Sequence, residues 1–331
     1  MPDPSKSNLW GVLCALAAFA LFSSHDVIVK SLGGTYAPFQ IVFFSVLFGF
    51  PLATLMLMRD PTSGHLRPVH PWWTALRTGA TVVTASSGFY AFSTLPLTQV
   101  YAILFAAPLL ITVLSIPVLG ERVGLHRWAA VAVGLAGVLV VLRPGVVPLG
   151  LGHAAAIVAA VGAAVASVIV RKIGRDERSV VMLLYPMVAN FVAMGAVLPF
   201  VYRPLPAADL GALAVMSALA FAAMLLLIAA YRRADAAIVA PMQYSQILWA
   251  TVFGAVVFGE TPDRHTALGA AIVILSGVYI VIREGRANVS ANQPVLRTRS
   301  RAATPSTPRI AGLMARTERA QSDLENGGKD G

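Results

Sequence analysis

Charge is what this sequence has least of. Only 12% of its 331 residues are charged, where a soluble domain carries about 25%. Such a chain cannot cover a water-facing surface. Cysteine is scarcer still. Cys14 stands alone inside an apolar run, which excludes a disulfide framework and a cysteine-based metal site. Ten-residue stretches of alternating polarity are missing, and with them the signature of a membrane β-barrel. The HExxH, GxSxG and phosphate-binding GxxxxGKS/T patterns are missing too. No enzyme activity, metal or cofactor is expected, and direct use of ATP by this chain is not.

Acidic residues number 15 against 25 basic ones, for a formal net charge of +10. A basic chain raises the question of nucleic acid. Here the basic residues lie in short loops and in the tail, where membrane orientation explains them better. Nucleic acid is therefore not an expected partner; the lipid bilayer is.

What the sequence has in quantity is apolar length. Hydrophobic residues make up 57% of it, gathered into runs long enough to cross roughly 30 Å of hydrocarbon. Ten spanning segments are predicted: 9–31, 36–58, 72–93, 98–117, 124–142, 149–171, 180–202, 209–231, 236–258 and 266–283. Gly, Pro and charged residues separate them, as in RDPTSGHLRP at 59–68. In lipid they must be helices, because each backbone group needs a partner within its own segment. The first run has full spanning length and another follows at once, unlike a cleaved leader. The fold class is thus all-α integral membrane protein.

Loop charge gives orientation. Lys6, Arg59, Arg67, Arg122, Arg127, Arg171, Lys172, Arg175, Arg178, Arg232, Arg233, Arg283 and Arg286 fall in one set of connections. The alternate set holds Lys30, Arg143, Arg203 and Arg264. Both termini are predicted to be cytoplasmic. The stretch after Glu284 has no apolar period and is rich in Ser, Thr, Pro and Arg. It reads as a disordered cytoplasmic tail over 284–331.

The chain also repeats itself. VIVK at 27–30 returns as VIVR at 168–171, and LGERVGLH at 119–126 returns as FGETPDRH at 258–265. Five helices separate the copies, and five is odd, so the copies are predicted to be inverted. Residues 9–143 form one five-helix repeat and 148–283 the other. Inverted repeats with substrate held between them are a transporter signature.

Polar residues inside the spans are the site candidates, because such groups face a wet cavity or a partner. Asp26 is the leading one, as a substrate contact or a proton-coupling site. Lys30 lies one turn further on and can pair with it, as a structural pair or as part of the coupling. His25 can tune Asp26 or simply pack. On helix 3, Thr84, Ser87 and Tyr90 share a face, with Tyr90 the better contact. Gln99 and Tyr101 open helix 4, which Pro108 interrupts. Pro241 precedes Gln243, Gln246 and Trp249, the densest polar cluster of the second copy. Interhelical hydrogen bonding and a substrate-reading surface both fit that cluster. Tyr185, Pro186 and Asn190 form a thinner patch.

These residues and motifs resemble the drug/metabolite transporter superfamily, in its ten-helix EamA-type branch. The resemblance runs over about 9–283. It rests on PLTQVYAILFAAPLLITVLSIPVLGE at 96–121, WAAVAVGLAGVLVVLRPG at 128–145 and the repeated Gly-Glu ends. It implies a central cavity among helices 1–4 and 6–9, peripheral helices 5 and 10, and secondary transport of a small metabolite. It also implies that Glu121 and Glu260 are scaffold residues. QIVFF at 40–44 is followed by Ser45, where members often carry Arg. Gly134, Gly137, Gly269 and Gly277 mark small-residue faces suited to tight packing or to a homodimer through the peripheral helices. The expected activity is alternating-access movement of an amino acid, vitamin or cofactor-like metabolite across the inner membrane. The competing expectation is a non-transporting scaffold or receptor that signals through its tail.

Overall fold

Proline sets where many of the helices begin. Its fixed φ suits a first turn, and its missing N–H is not needed there. In the computed structural model, which describes residues 4–58, 66–120, 124–146, 148–174, 176–234 and 236–285, Pro4, Pro38 and Pro71 open α1 (Pro4–Gly33), α2 (Pro38–Met58) and α3 (Pro71–Thr94). Pro96 caps α4 (Leu97–Leu104), which is followed by α5 (Ala107–Leu119) and α6 (Leu125–Leu142). The second half holds α7 (Leu151–Ile173), α8 (Ser179–Val201) and α9 (Ala207–Arg233), the last capped by Pro206. Then come α10 (Ala236–Val239), a 3₁₀ turn over Ala240–Tyr244, α11 (Ser245–Phe258) and α12 (Arg264–Gly285). Every regular element among the described residues is helical. Glu121, Arg59, Arg122, Arg175, Arg286 and the predicted tail beyond 285 lie outside the described residues.

Among the described residues seven helices are long and apolar enough to cross a membrane: Leu9–Gly33, Leu97–Leu119, Leu125–Leu142, Leu151–Ile173, Val180–Val201, Ala207–Arg233 and Arg264–Ile282. The other three predicted segments are helical as well. α2 is apolar to its end, closing on Leu55, Met56, Leu57 and Met58. α3 carries Arg77 and a series of Thr and Ser residues. The 236–258 segment is broken into three pieces.

The breaks are proline effects. Pro108 lacks an N–H and its ring crowds the carbonyl four residues back, which is Leu104, the last residue of α4. Pro241 sits in the 3₁₀ turn before α11. The two broken segments pack against each other through α4 and α11.

Packing follows a regular scheme. α1 lies against α9, and α3 against α7. α2 pairs with α8, and α6 with α12. Phe43 of α2 stacks on Phe191 of α8 with ring centroids 4.7 Å apart. α3 runs between two polar ends. At its start the Glu177 carboxylate accepts the His70 N–H at 2.6 Å. At its finish the Leu95 carbonyl accepts Lys30 Nζ at 2.6 Å.

The glycine faces are used inside the chain. A Cβ on Gly137 would meet the Gly269 carbonyl at 3.0 Å, and one on Gly269 would meet the Gly137 carbonyl at 2.6 Å. These glycines let α6 and α12 approach closely. A Cβ on Gly134 would strike Leu109, and one on Gly277 would strike Tyr244. All four therefore serve intrachain packing.

Candidate functional site

The site begins on α1. Phe22, Ala18 and Ala15 bury the helix against its neighbours, and this carries His25 and Asp26 into the interior, where they are 4% and 2% exposed. A carboxylate there needs partners, because an unpaired buried charge is costly. The His25 Nδ1–H donates to Asp26 Oδ1 at 2.8 Å. The Tyr101 hydroxyl, brought in by α4, donates to Asp26 Oδ2. Gln246 Nε2 of α11 donates in turn to the Tyr101 oxygen at 3.4 Å, and the Ser23 hydroxyl lies 3.4 Å from the same oxygen. A continuous chain of hydrogen bonds thus runs from Gln246 through Tyr101 to the Asp26–His25 pair. It joins α1 and α4 of the first half to α11 of the second.

Aromatic rings wall this network. Phe92 and Phe105 flank Tyr101 with centroids 5.4 and 6.0 Å away. Phe89 meets the His25 ring edge-on at 6.0 Å. Low polarizability around the network strengthens each hydrogen bond in it. Gln246 is 3% exposed, so Asp26 and Gln246 are closed onto each other through Tyr101 rather than onto open space.

Lys30 does not complete this network. The expected Asp26–Lys30 pairing gives way to an ion pair between Lys30 Nζ and Glu260 Oε1 at 2.7 Å. The reason is reach. α1 ends beside the α3–α4 turn and the end of α11, and Glu260 is delivered there by Gly259, whose φ of +66° is a left-handed helix cap. Glu260 Oε2 also accepts the Leu97 N–H at 3.4 Å, and Lys30 lies 5.2 Å over the Phe258 ring.

The remaining predicted residues scatter around the network. Gln99 points away from Tyr101, and its amide lies 3.0 Å from His153 Nε2 at the start of α7. The backbone N–H of Gly150 donates to the other nitrogen of that ring. Gln243 lies half-buried in the 3₁₀ turn, and Tyr90 is half-buried on α3. Trp249 stacks on Phe253 with centroids 6.1 Å apart. Its indole N–H and the Ser245 hydroxyl, one turn apart on α11, are buried without a hydrogen-bond partner among the described residues. Thr84 turns out to be a packing residue. Its hydroxyl donates to Ala80 O at 2.7 Å and abuts Gly162 of α7. Ser87 donates to its own helix in the same way.

Two shifted groups lie in the loops. The Tyr36 hydroxyl donates to Asp209 Oδ2 at 2.5 Å. That bond, with burial and the negative charge behind it, holds the phenol above its ordinary pKa. Asp263 caps α12 by accepting the Thr266 N–H at 2.9 Å. The hydrogen bonding from Thr266 and the nearby Arg143 and His265 outweigh partial burial, and hold this carboxyl below its ordinary range.

Sequence reasoning set aside Glu260 as scaffold and gave no role to His153. The Gly-Glu repeat pointed to Glu260, but nothing local named Lys30 as its partner. Gln40 was also missed. It is fully buried, exchanging two hydrogen bonds with the Arg203 backbone at 2.7 and 2.9 Å.

A bundle of long apolar helices crossed by a buried polar network defines a multi-pass membrane protein. Residues 9–143 and again 150–283 match the EamA-like transporter family, and the chain belongs to that family. It is a transporter. It is similar to the S-adenosylmethionine uptake transporter of Rickettsia prowazekii (strain Madrid E), 26% identical over 294 residues that cover 88% of this chain and 99% of the relative. It is similar also to a riboflavin transporter of Vibrio cholerae, 28% identical over 298 residues, 84% and 93% of the two chains. A solved crystal structure matches it with a TM-score of 0.56 and 21% identity over 81% of this chain and 94% of the other, a likeness of fold.

Proposed function

We propose that this protein is a secondary carrier that moves a small cofactor-like metabolite bearing a positive charge across the inner membrane by alternating access. S-adenosylmethionine, a sulfonium cation named for the Rickettsia relative, is the first candidate. One observation carries the reading: the buried Asp26 carboxylate bonded through Tyr101 to Gln246 of the other half. A closed network of this kind holds a negative charge between the two halves. A proton or a cationic substrate neutralises it, and either exchange would loosen the contact between halves.

Several features support two inverted five-helix halves with ten spans. The family matches the chain twice in tandem. Contacts pair α1 with α9 and α3 with α7, which is the exchange expected of a pseudo-two-fold axis. Both halves break their fourth segment near a proline, as carriers do where backbone lines a path. The Trp249 N–H and Ser245 hydroxyl, which have no partner among the described residues, are suited to a bound ligand, since buried donors rarely go unsatisfied. Trp249 offers an aromatic face for a base or ring.

The test is transport. Proteoliposomes carrying the purified protein should accumulate labelled S-adenosylmethionine above protein-free liposomes, with a response to an imposed pH gradient. No uptake above protein-free liposomes for S-adenosylmethionine, riboflavin or amino acids, with or without the gradient, would end the reading.

A further inference from the structure

The Lys30–Glu260 pair has a distinctive position. Lys30 belongs to the first helix of the first half, and Glu260 follows the Gly259 cap just beyond α11 in the second. Their side chains are 12% and 27% exposed, so the pair is sheltered at one end of the bundle. Each group has a second partner in the α3–α4 turn: Leu95 O for Lys30 and Leu97 N–H for Glu260. Both donors to the Glu260 carboxylate therefore come from the first half, and one of them is charged.

α11 connects this pair to the buried network. Gln246 and Glu260 are 14 residues apart in sequence, roughly 20 Å along a helix at 1.5 Å per residue. Between them Thr251 Oγ1 lies 3.4 Å from Thr98 Oγ1 of α4. The same helix thus touches the first half at its beginning through Tyr101, midway through Thr98, and at its end through Lys30. A rigid element with contacts at both ends transmits movement from one to the other.

The opposite end of the bundle carries a mirrored contact. Lys172 of α7, in the second half, donates to Val118 O of α5, in the first half, at 2.9 Å. It lies 4.3 Å over the Trp73 ring, as Lys30 lies over Phe258. A lysine from the first helix of each half therefore reaches across to the end of the other half's fourth segment.

Resting on the carrier reading above, we propose that Lys30 and Glu260 form the bolt of the outer mouth. The mouth opens only when Glu260 leaves these two donors, and α11 couples that release to the Asp26–Tyr101–Gln246 network. In this assignment Lys30 acts with Glu260 on conformation and not with Asp26 on coupling.

The test reads access rather than transport. Ser23 lies in the network about 10 Å below Lys30, seven helical residues away, and is 1% exposed. The full chain with Cys14→Ala and Ser23→Cys carries one reporter thiol. A membrane-impermeant maleimide is applied to right-side-out and to inside-out vesicles. Glu260→Gln, which keeps a carbonyl for Leu97 N–H but loses the charge, should label at least about fivefold faster from the outer face alone. Lys30→Met should do the same, and Lys30→Arg, which keeps the charge, should stay protected. Labelling unchanged in both Glu260→Gln and Lys30→Met, or raised equally from both faces, overturns the bolt. The measurement needs no substrate, so a wild-type protein that fails to take up S-adenosylmethionine counts against the carrier reading and leaves the bolt standing or falling on its own result.

Discussion

The Tyr101 hydroxyl donates to the Asp26 carboxylate across 75 residues of sequence, and that bond fastens α4 onto α1 at the centre of the bundle. Hydrogen bonds to charged groups contribute about 1.5–3 kcal/mol. Tyr101→Phe removes this donor from Oδ2 and leaves the His25 bond to Oδ1 in place. Its unfolding midpoint in detergent should fall by a few degrees, at about 1–2 °C per kcal/mol for a chain above 250 residues. Uptake should fall at least tenfold if Tyr101 also orients the carboxylate for exchange. A variant with unchanged stability and uptake would remove the bond from both roles.

Asp26→Asn keeps the shape of the carboxylate and an acceptor for Tyr101, and loses the charge. Proteoliposomes bearing it should show the same slow exchange with and without a pH gradient. Gradient-driven accumulation that persists in Asp26→Asn would place coupling elsewhere in the chain.

Glycine substitutions should split by location. Gly79 has open space around it, so Gly79→Ala should stabilise α3 by about 0.5–1 kcal/mol through helix propensity. Gly269→Ala would drive a methyl to 2.6 Å from a backbone carbonyl of α6. It should destabilise by about 1–3 kcal/mol, as overpacking does. Thermal melts of the two variants side by side check both signs.

The two loop groups should report pH in opposite directions. Asp263 is held below its ordinary range, so its contribution is present at neutral pH and is lost as pH falls below about 4. Asp263→Ala removes an N-cap worth about 1 kcal/mol, and its deficit against the wild type should shrink in acid. Tyr36 is held above its ordinary pKa. Its contribution is present below about pH 10 and is lost as pH rises through the raised value. Tyr36→Phe should therefore lose its deficit in alkali and keep it in acid. Midpoints recorded between pH 3 and 11 test both.

The helices were legible because a membrane leaves the chain few options. Apolar run length and Gly or Pro breaks put every predicted segment on a helix, and Pro108 and Pro241 lie where the fourth and ninth segments come apart. Asp26, Tyr101 and Gln246 also met, since buried polar groups seek each other when water is excluded. Partner choice was not legible. Lys30 has a carboxylate four residues away on its own helix, yet pairs with Glu260, 230 positions on. Gln99 and Tyr101, two residues apart, face different neighbours, His153 and Asp26. The α6 and α12 glycines gave the right residue type for close contact without saying which helix would come close. Such choices depend on how helices cross, and no local period encodes that.

The pairing of α1 with α9 has a consequence for biosynthesis. The ribosome completes α9 roughly 200 residues after it completes α1. At ~5–20 residues per second that is a wait of about 10–40 s. Throughout it the stripe of the first helix that packs with α9, formed by Ala15, Ala18, Phe19 and Phe22, waits for that neighbour. Lipid, the insertion machinery or a provisional hairpin with α2 has to cover the stripe until the late arrival displaces it.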